Sequence, residues 1–295
     1  MERMTVTALT LSAALLVALA APSNAGIIYL TAESAGSNFS HLVSYDTGTG
    51  TQSDLGMIQG RKYTTDLACN ADGGLYGVGW SNAGANGTAH LFRITPDSDG
   101  SGATWSMETV KSNRMDRTVN SAVFDDQGAL YVASAYGSLQ KLQLDRHGRQ
   151  WEVVASADMD WGAAGDLAFS ADGADLYVSL AGGKLGKVNF DADSNRFGRV
   201  SVIGDTGYDN LYGLAMVDGT LYGTTAGRGN YDNSYLVELD PETASACAVT
   251  YLGTGVWGAA SGGGGQAVPE PASLMILALG GLALPIRRAI RRRTR

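Results

Sequence analysis

Asp66 and Asp166 are the strongest candidates for chemistry in this sequence, and they begin two near-identical stretches, "DLAC" and "DLAF". Asn120 and Asn210 stand close to the corresponding positions of two similar stretches, "SAVF" and "GLAM". Brought together, these four side chains would form a candidate ligand or metal site. Ca²⁺ takes six or more oxygens, which carboxylates, amides and main-chain carbonyls supply.

The two aspartates also admit a catalytic and a structural interpretation. A glycosidase works with two carboxylates that flank the scissile bond, so Asp66 and Asp166 are a candidate pair for a secreted glycosidase. With Ca²⁺ bound, the same site would instead resemble that of calcium-dependent lactonase propellers. An aspartate before a strand more often accepts hydrogen bonds from its own backbone, and this structural role is the favoured interpretation.

Other catalytic classes find little support in the sequence. The three histidines have no serine or cysteine at the spacing of a nucleophilic motif. Phosphate-binding glycine loops and zinc-ligand spacings do not occur either. A non-catalytic role is therefore preferred, with the hydrolase as the alternative.

An internal repeat organises the positions of these residues. Each unit has a small-apolar strand, a turn that is usually Asp-Gly, a Leu-Tyr strand and two further strands. The aligned tyrosines are Tyr29, Tyr76, Tyr131, Tyr177 and Tyr222. Four antiparallel strands at a period of about 45 residues predict an all-β propeller of five blades.

The first unit lacks its innermost strand, which suggests how the ring closes. We expect "GVWGAAS", from Gly255 to Ser261, to supply this strand, so that both chain ends complete one blade. A β-sandwich is the alternative fold, but it does not explain the period. The repeats loosely resemble propellers with degenerate YVTN- or WD-like blades, and that resemblance implies a fold without an activity.

Charge limits the partners of the body. Without Arg3 and the tail arginines the 21 basic residues fall to 14, and without Glu2 and Glu270 the 29 acidic residues fall to 27, which leaves a net charge near −13. Nucleic-acid binding is therefore disfavoured. We expect the two cysteines, Cys69 near the axis and Cys247 at the rim, to be small buried side chains.

Both ends of the chain have the composition of export signals. Residues 1–25 combine Arg3, an apolar run and a small-residue triplet, which predicts a cleaved signal peptide. We expect a propeller at 26–261, a glycine-rich linker at 262–267 and a sorting segment at 268–295. That segment has a short apolar span at 272–286, and its positive end would stay in the cytoplasm. The arginines of this end are Arg287, Arg288, Arg291, Arg292, Arg293 and Arg295.

The last 28 residues resemble the PEP-CTERM sorting signal. The resemblance rests on Pro269, Glu270 and Pro271, followed by the apolar run and the arginines. It implies recognition by an exosortase in a Gram-negative bacterium that makes exopolysaccharide, removal of the tail, and delivery to the cell surface or matrix. The prolines also favour an extended, accessible backbone.

Aromatic residues supply a candidate binding surface. Most of the five tryptophans and thirteen tyrosines suit packing between blades. Trp80 and Tyr231 lie in the longer loops "GWSNAGANG" and "GRGNYDNS" and are candidates for stacking on sugars. The sequence thus favours an exported propeller that binds, or gives structure to, an exopolysaccharide matrix.

Overall fold

The computed structural model describes residues 26–33, 40–60, 63–80, 88–97, 104–110, 112–113, 115–145, 150–191, 196–227, 230–253 and 255–262. Within these ranges the chain is built from strands alone. No described helix is long and apolar enough to cross a membrane. The expected signal peptide and sorting segment lie outside the described residues.

The strands follow the repeat in chain order. They are β1 (Ile27–Glu33), β2 (Ser40–Asp46), β3 (Thr51–Gln59), β4 (Tyr63–Cys69), β5 (Leu75–Trp80), β6 (Ala89–Pro96), β7 (Thr104–Val110), β8 (Ser112–Asn113), β9 (Val119–Phe124), β10 (Leu130–Ser134), β11 (Ser138–Leu144), β12 (Trp151–Asp158), β13 (Ala163–Phe169), β14 (Leu176–Leu180), β15 (Lys184–Asp191), β16 (Arg196–Asp205), β17 (Asn210–Val217), β18 (Thr220–Gly227), β19 (Asn230–Leu239), β20 (Ala246–Gly253) and β21 (Val256–Ser261).

These strands form five antiparallel four-stranded blades. From the inside outward, blade 1 is β21-β1-β2-β3, blade 2 is β4-β5-β6-β7 and blade 3 is β9-β10-β11-β12, with β8 added at its outer edge. Blade 4 is β13-β14-β15-β16 and blade 5 is β17-β18-β19-β20. A short parallel pairing of β3 with β7 joins the outer edges of blades 1 and 2.

The ring closes through the two ends of the body, as the sequence predicts. β21 pairs antiparallel with β1, with Tyr29 opposite Ala260 and Leu30 opposite Ala259. The inner strands contact one another in a closed cycle, β21 to β4, β9, β13, β17 and back to β21. This cycle confirms the propeller and excludes the β-sandwich, in which no such cycle of sheets exists.

The turns between inner and second strands adopt the geometry that their glycines allow. Gly73, Gly128, Gly173 and Gly219 have φ of 77°, 80°, 72° and 80°. Asp218 also has a positive φ, 49°, which aspartate tolerates better than most residues. These turns lie at one end of the axis because each follows the carboxyl end of an inner strand.

Apolar packing between neighbouring blades holds the ring together. In the described part of the chain, five buried clusters form, and each joins residues of two adjacent blades. Four of the aligned tyrosines are buried in them and Tyr76 is half-buried. Each fully buried large side chain contributes about 1.5–3 kcal/mol. The recurring Leu-Tyr pairs are thus packing positions.

The cysteines correct one expectation. Cys69 is half-buried at the end of β4 near the axis, whereas Cys247 is exposed on the outermost strand of blade 5. Neither forms a disulfide. The expected burial of Cys247 is wrong because β20 is the outer edge strand of blade 5, and both of its faces reach solvent at residues 247–249.

Candidate functional site

Five aligned positions, one per inner strand, surround the axis. They hold Asp66, Ser121, Asp166, Gly213 and Gly258. A Cβ added to Gly258 would lie 2.5 Å from the Cα of Asp66, and one added to Gly213 would lie 2.8 Å from the Cβ of Ala259. The small residues therefore leave room on the axis for the two carboxyl groups.

The structure brings Asp66 and Asp166 together, as the sequence suggests, but encloses them. Both residues are 0% exposed, and their carboxyl groups share a hydrogen bond. We call this pair the aspartate hub. The expected open mouth lined by these aspartates is therefore replaced by a closed centre.

One backbone N–H from each of the five inner strands donates to the aspartate hub. Asp66 accepts from Leu67 (2.8 Å, Oδ1) and Ala122 (2.7 Å, Oδ2), and Asp166 accepts from Leu167 (2.6 Å, Oδ1), Leu214 (2.6 Å, Oδ2) and Ala259 (3.2 Å, Oδ2). These donors lie on edge strands, whose outward N–H groups have no neighbouring strand to bond. The hub satisfies them and links all five blades.

The two amides of the predicted site lie apart from this arrangement. Asn120 is buried, and its side-chain N–H₂ donates to the carbonyl of Ala163 at 2.9 Å, which ties blade 3 to blade 4. Asn210 is half-buried at the start of β17. In the ranges that the structure describes, no hydrogen bond joins Asn210 to either aspartate, and no group of three or more His, Cys, Asp or Glu residues is placed to hold a metal ion.

Burial controls the protonation of the hub. Removal of both carboxyl groups from water raises the pKa of Asp66 and Asp166 well above the ordinary value, and the charge of Asp166 raises the pKa of Asp66 further. Asp166 accepts three backbone N–H groups and Asp66 only two. The shared proton therefore resides on Asp66, which donates it to Asp166.

This protonation gives a testable pH dependence. A carboxyl group whose folded pKa is raised stabilises the fold most below its unfolded pKa, and this contribution is lost as pH rises through the folded pKa. Asp66→Asn keeps a donor to Asp166 but cannot ionise. We expect the difference in unfolding free energy, wild type minus variant, to fall in urea titrations as pH rises above about 4, the ordinary carboxyl pKa, and through the raised folded pKa. A difference independent of pH would contradict the shared proton.

Glycosidase chemistry does not fit the hub geometry. Retaining enzymes keep their carboxyl groups about 5 Å apart, and inverting enzymes keep them farther apart, so that a sugar or water enters between them. Here the two groups are hydrogen-bonded to each other, and every carboxylate oxygen accepts a backbone N–H. A substrate would have to displace main-chain bonds of several blades.

An axial cavity of about 480 Å³ lies beside the hub, on the side of the Asp-Gly turns. Its walls begin at the residue after each of the five axial positions. The next aligned residues are Ala68, Val123, Ala168, Ala215 and Ala260. Four of these five residues are alanines, whose small side chains leave the axis open. The aligned repeats show these alanines in the sequence itself.

The predicted sugar-stacking residues are placed differently from the expectation. Trp80 is half-buried, packs against the core between blades 2 and 3, and donates its indole N–H to the carbonyl of Val119 at 3.0 Å. It is therefore less accessible than its loop suggests. Tyr231 lies within β19, and its side chain is outside the described residues.

Two other aromatic side chains, on neighbouring chain segments, are exposed. Tyr136 is 71% exposed and Trp161 is 39% exposed. Their backbones pack closely, since a Cβ added to Gly137 would lie 3.1 Å from the carbonyl oxygen of Trp161. We call Tyr136 and Trp161 the aromatic pair, and it lies at the end of the axis away from the Asp-Gly turns.

The comparison with protein families concerns the tail. Residues 267–293 match the PEP-CTERM protein-sorting motif. The PEP-CTERM match confirms the resemblance carried by Pro269, Glu270 and Pro271, and it indicates an exported protein that an exosortase-type enzyme processes. No curated protein matches the chain in sequence.

Solved structures with similar folds are only distantly related in sequence. They include the periplasmic gluconolactonase PpgL of Pseudomonas aeruginosa, with 13% identity over 83% of this chain and 99% of that one, at a TM-score of 0.48. TolB from Acinetobacter baumannii has 11% identity over 80% of this chain and 66% of that one, at a TM-score of 0.47. A putative 6-phosphogluconolactonase from Bacteroides uniformis has 18% identity over 78% of this chain and 69% of that one, at a TM-score of 0.43. Such likeness transfers no substrate to this chain.

Proposed function

We propose that this PEP-CTERM protein is a non-catalytic propeller, exported to the cell surface or extracellular matrix, where it binds or organises exopolysaccharide. One observation carries the non-catalytic part: the acid pair on the axis, Asp66 and Asp166, is enclosed and bonded to all five inner strands. Its role is to close the centre of the fold.

In this proposal residues 1–25 direct export and are removed, and an exosortase recognises Pro269, Glu270 and Pro271. The apolar segment 272–286 is held transiently in the inner membrane, with the arginine cluster in the cytoplasm. Cleavage then releases the body. The net charge near −13 supports a partner other than nucleic acid, because like charges repel.

The aromatic pair supports a role in binding carbohydrate. Exposed aromatic rings present flat apolar faces on which the C–H faces of pyranose rings pack, and these two rings are carried by chain segments in close contact. An acidic surface accepts neutral chains directly and anionic chains through bridging Ca²⁺. Calcium is thus proposed as a bridge at the surface.

Affinity electrophoresis in gels that contain dextran or alginate, the latter with and without Ca²⁺, tests this role. We expect at least one polysaccharide to retard the protein. The double variant Tyr136→Ala, Trp161→Ala should weaken that binding roughly five- to tenfold, since two stacking contacts of about 0.5 kcal/mol or more are lost.

A matched control separates stacking from general effects of removing an aromatic side chain. Tyr251 is 53% exposed but lies on the outer strand of blade 5, away from the aromatic pair. Tyr251→Ala should leave retardation unchanged. Equal losses in both variants would reject the aromatic pair as the binding site.

The hydrolase alternative has its own signature. If the protein cleaves a polysaccharide or a lactone through the hub, Asp66→Asn together with Asp166→Asn abolishes turnover in variants that still fold. Absence of retardation by every polysaccharide, combined with such turnover, would replace the proposed function by the alternative.

A further inference from the structure

The axial cavity has a shape and a lining of its own, independent of the aromatic pair. It is closed at one end by the inner-strand residues next to the aspartate hub and reaches the Asp-Gly turns at the other. Its volume of about 480 Å³ falls in the range of about 300–1,000 Å³ that small-molecule sites occupy. It is therefore large enough to enclose a small ligand.

Apolar side chains line the depth of the axial cavity, beside the main-chain groups of the inner strands. The alanines that follow the axial positions line its depth, and Phe124, Phe169 and Met216 line it nearer the turns. Phe124 is held edge-on by Tyr76, and Phe169 is held by Tyr131. Rings fixed in this way form a preorganised wall, which favours an apolar ligand body.

The mouth of the axial cavity is acidic. Asp125, Asp126 and Asp172 line it, and among the residues that the structure describes no lysine, arginine or histidine does. Lys141 lies 3.7 Å from Asp125 and offsets its charge. Asp126 and Asp172 are exposed, and among the described residues neither takes part in an ion pair. Hydrogen bonds from the Ser170 hydroxyl and the Ala174 N–H lower the pKa of Asp172, which keeps it ionised.

We propose that the axial cavity binds a small organic cation, with its apolar body between the alanine walls and its ammonium group between Asp126 and Asp172. Charge complementarity selects this occupant, because the unpaired carboxylates at the mouth repel phosphorylated or carboxylated molecules. Neutral molecules of the same shape contact the walls but make no ionic contact with the aspartates at the mouth. This site is separate from the proposed polysaccharide surface.

Three probes that share one body test the charge requirement. They are 2-phenylethylammonium, 2-phenylethanol and phenylacetate, titrated into the purified protein by calorimetry. The ammonium should bind at least about tenfold more tightly than the alcohol, and phenylacetate more weakly than both. Equal affinities, or tighter binding of phenylacetate, would overturn the proposal.

The two cysteines report where the probe binds. Cys69 lines the axial cavity, and Cys247 lies exposed on the outer strand of blade 5. Saturating 2-phenylethylammonium should slow alkylation of Cys69 by iodoacetamide several-fold, measured by mass spectrometry, and leave Cys247 unchanged. Binding without a change at Cys69, or with equal changes at both cysteines, would place the ligand elsewhere and refute the site.

Variants of the turns test the mouth directly. Asp126→Asn with Asp172→Asn keeps the shape of the mouth and removes its charge, so affinity for the ammonium should fall about tenfold while affinity for the alcohol stays constant. Asp218→Asn, in a turn at the same end of the axis that does not line the cavity, is the control and should bind as wild type does. Unaltered affinity in the double variant would show that these aspartates do not hold the cation.

Discussion

Asp166→Ala should lower the free energy of unfolding by roughly 4 kcal/mol, the largest effect expected of any single substitution in the body. The substitution removes the acceptor of three buried N–H groups, on β13, β17 and β21. Each orphaned buried donor costs about 1–3 kcal/mol, and water entering from the axial cavity recovers part of this. Urea titration at fixed pH measures the loss.

Two comparisons sharpen this test. Asp66→Ala removes the acceptor of two N–H groups and should cost less than Asp166→Ala. Asp126→Ala changes an exposed aspartate on the same face and should stay within about 0.5 kcal/mol of wild type. If Asp166→Ala also stays within about 1 kcal/mol, the hub is not what holds the inner strands together.

The hub explains why so acidic a centre is compatible with a stable fold. In a propeller each inner strand is the free edge of its blade, so five rows of main-chain groups face the axis. Two carboxyl groups with one shared proton accept one N–H from every blade. The one negative charge that remains on the pair is stabilised by the dipoles of these five N–H groups, as main-chain N–H groups stabilise a bound anion.

Local signals made most of the fold predictable. The Asp-Gly turns need positive φ, and side chains of the Leu-Tyr strands alternate between the two faces of the sheet. Both signals recur in every repeat, so each blade is specified by its own sequence. The closure was also predictable, because the first unit lacks a strand and the segment around Trp257 supplies one. The ring of Trp257 packs against that of Tyr212 in blade 5, with 5.0 Å between the ring centroids. No single repeat encodes this contact between blades.

The site was predictable only in part, for a physical reason. Sequence alignment places Asp66 and Asp166 at equivalent points, but their enclosure depends on Gly213 and Gly258, whose lack of a side chain lets neighbouring blades approach. The five N–H donors are main-chain groups and have no residue signature. Trp80 shows the same limit, because its partner, the carbonyl of Val119, belongs to the next blade.

Replacing Pro269, Glu270 and Pro271 together by alanine should abolish release of the body from the membrane. Proline disfavours a helix and favours an extended backbone, whereas alanine favours a helix, so we expect the triple variant to lose the extended form that a processing enzyme binds. In cells that express the full-length chain, immunoblots of membrane and extracellular fractions should show only the longer, membrane-bound form. Gly263→Ser with Gly264→Ser, in the linker, should be released normally because glycine and serine have similar linker properties. Normal release of the triple variant would mean that the enzyme reads some other part of residues 267–293, and loss of release in the linker variant would mean that tether geometry, rather than the tripeptide, controls processing.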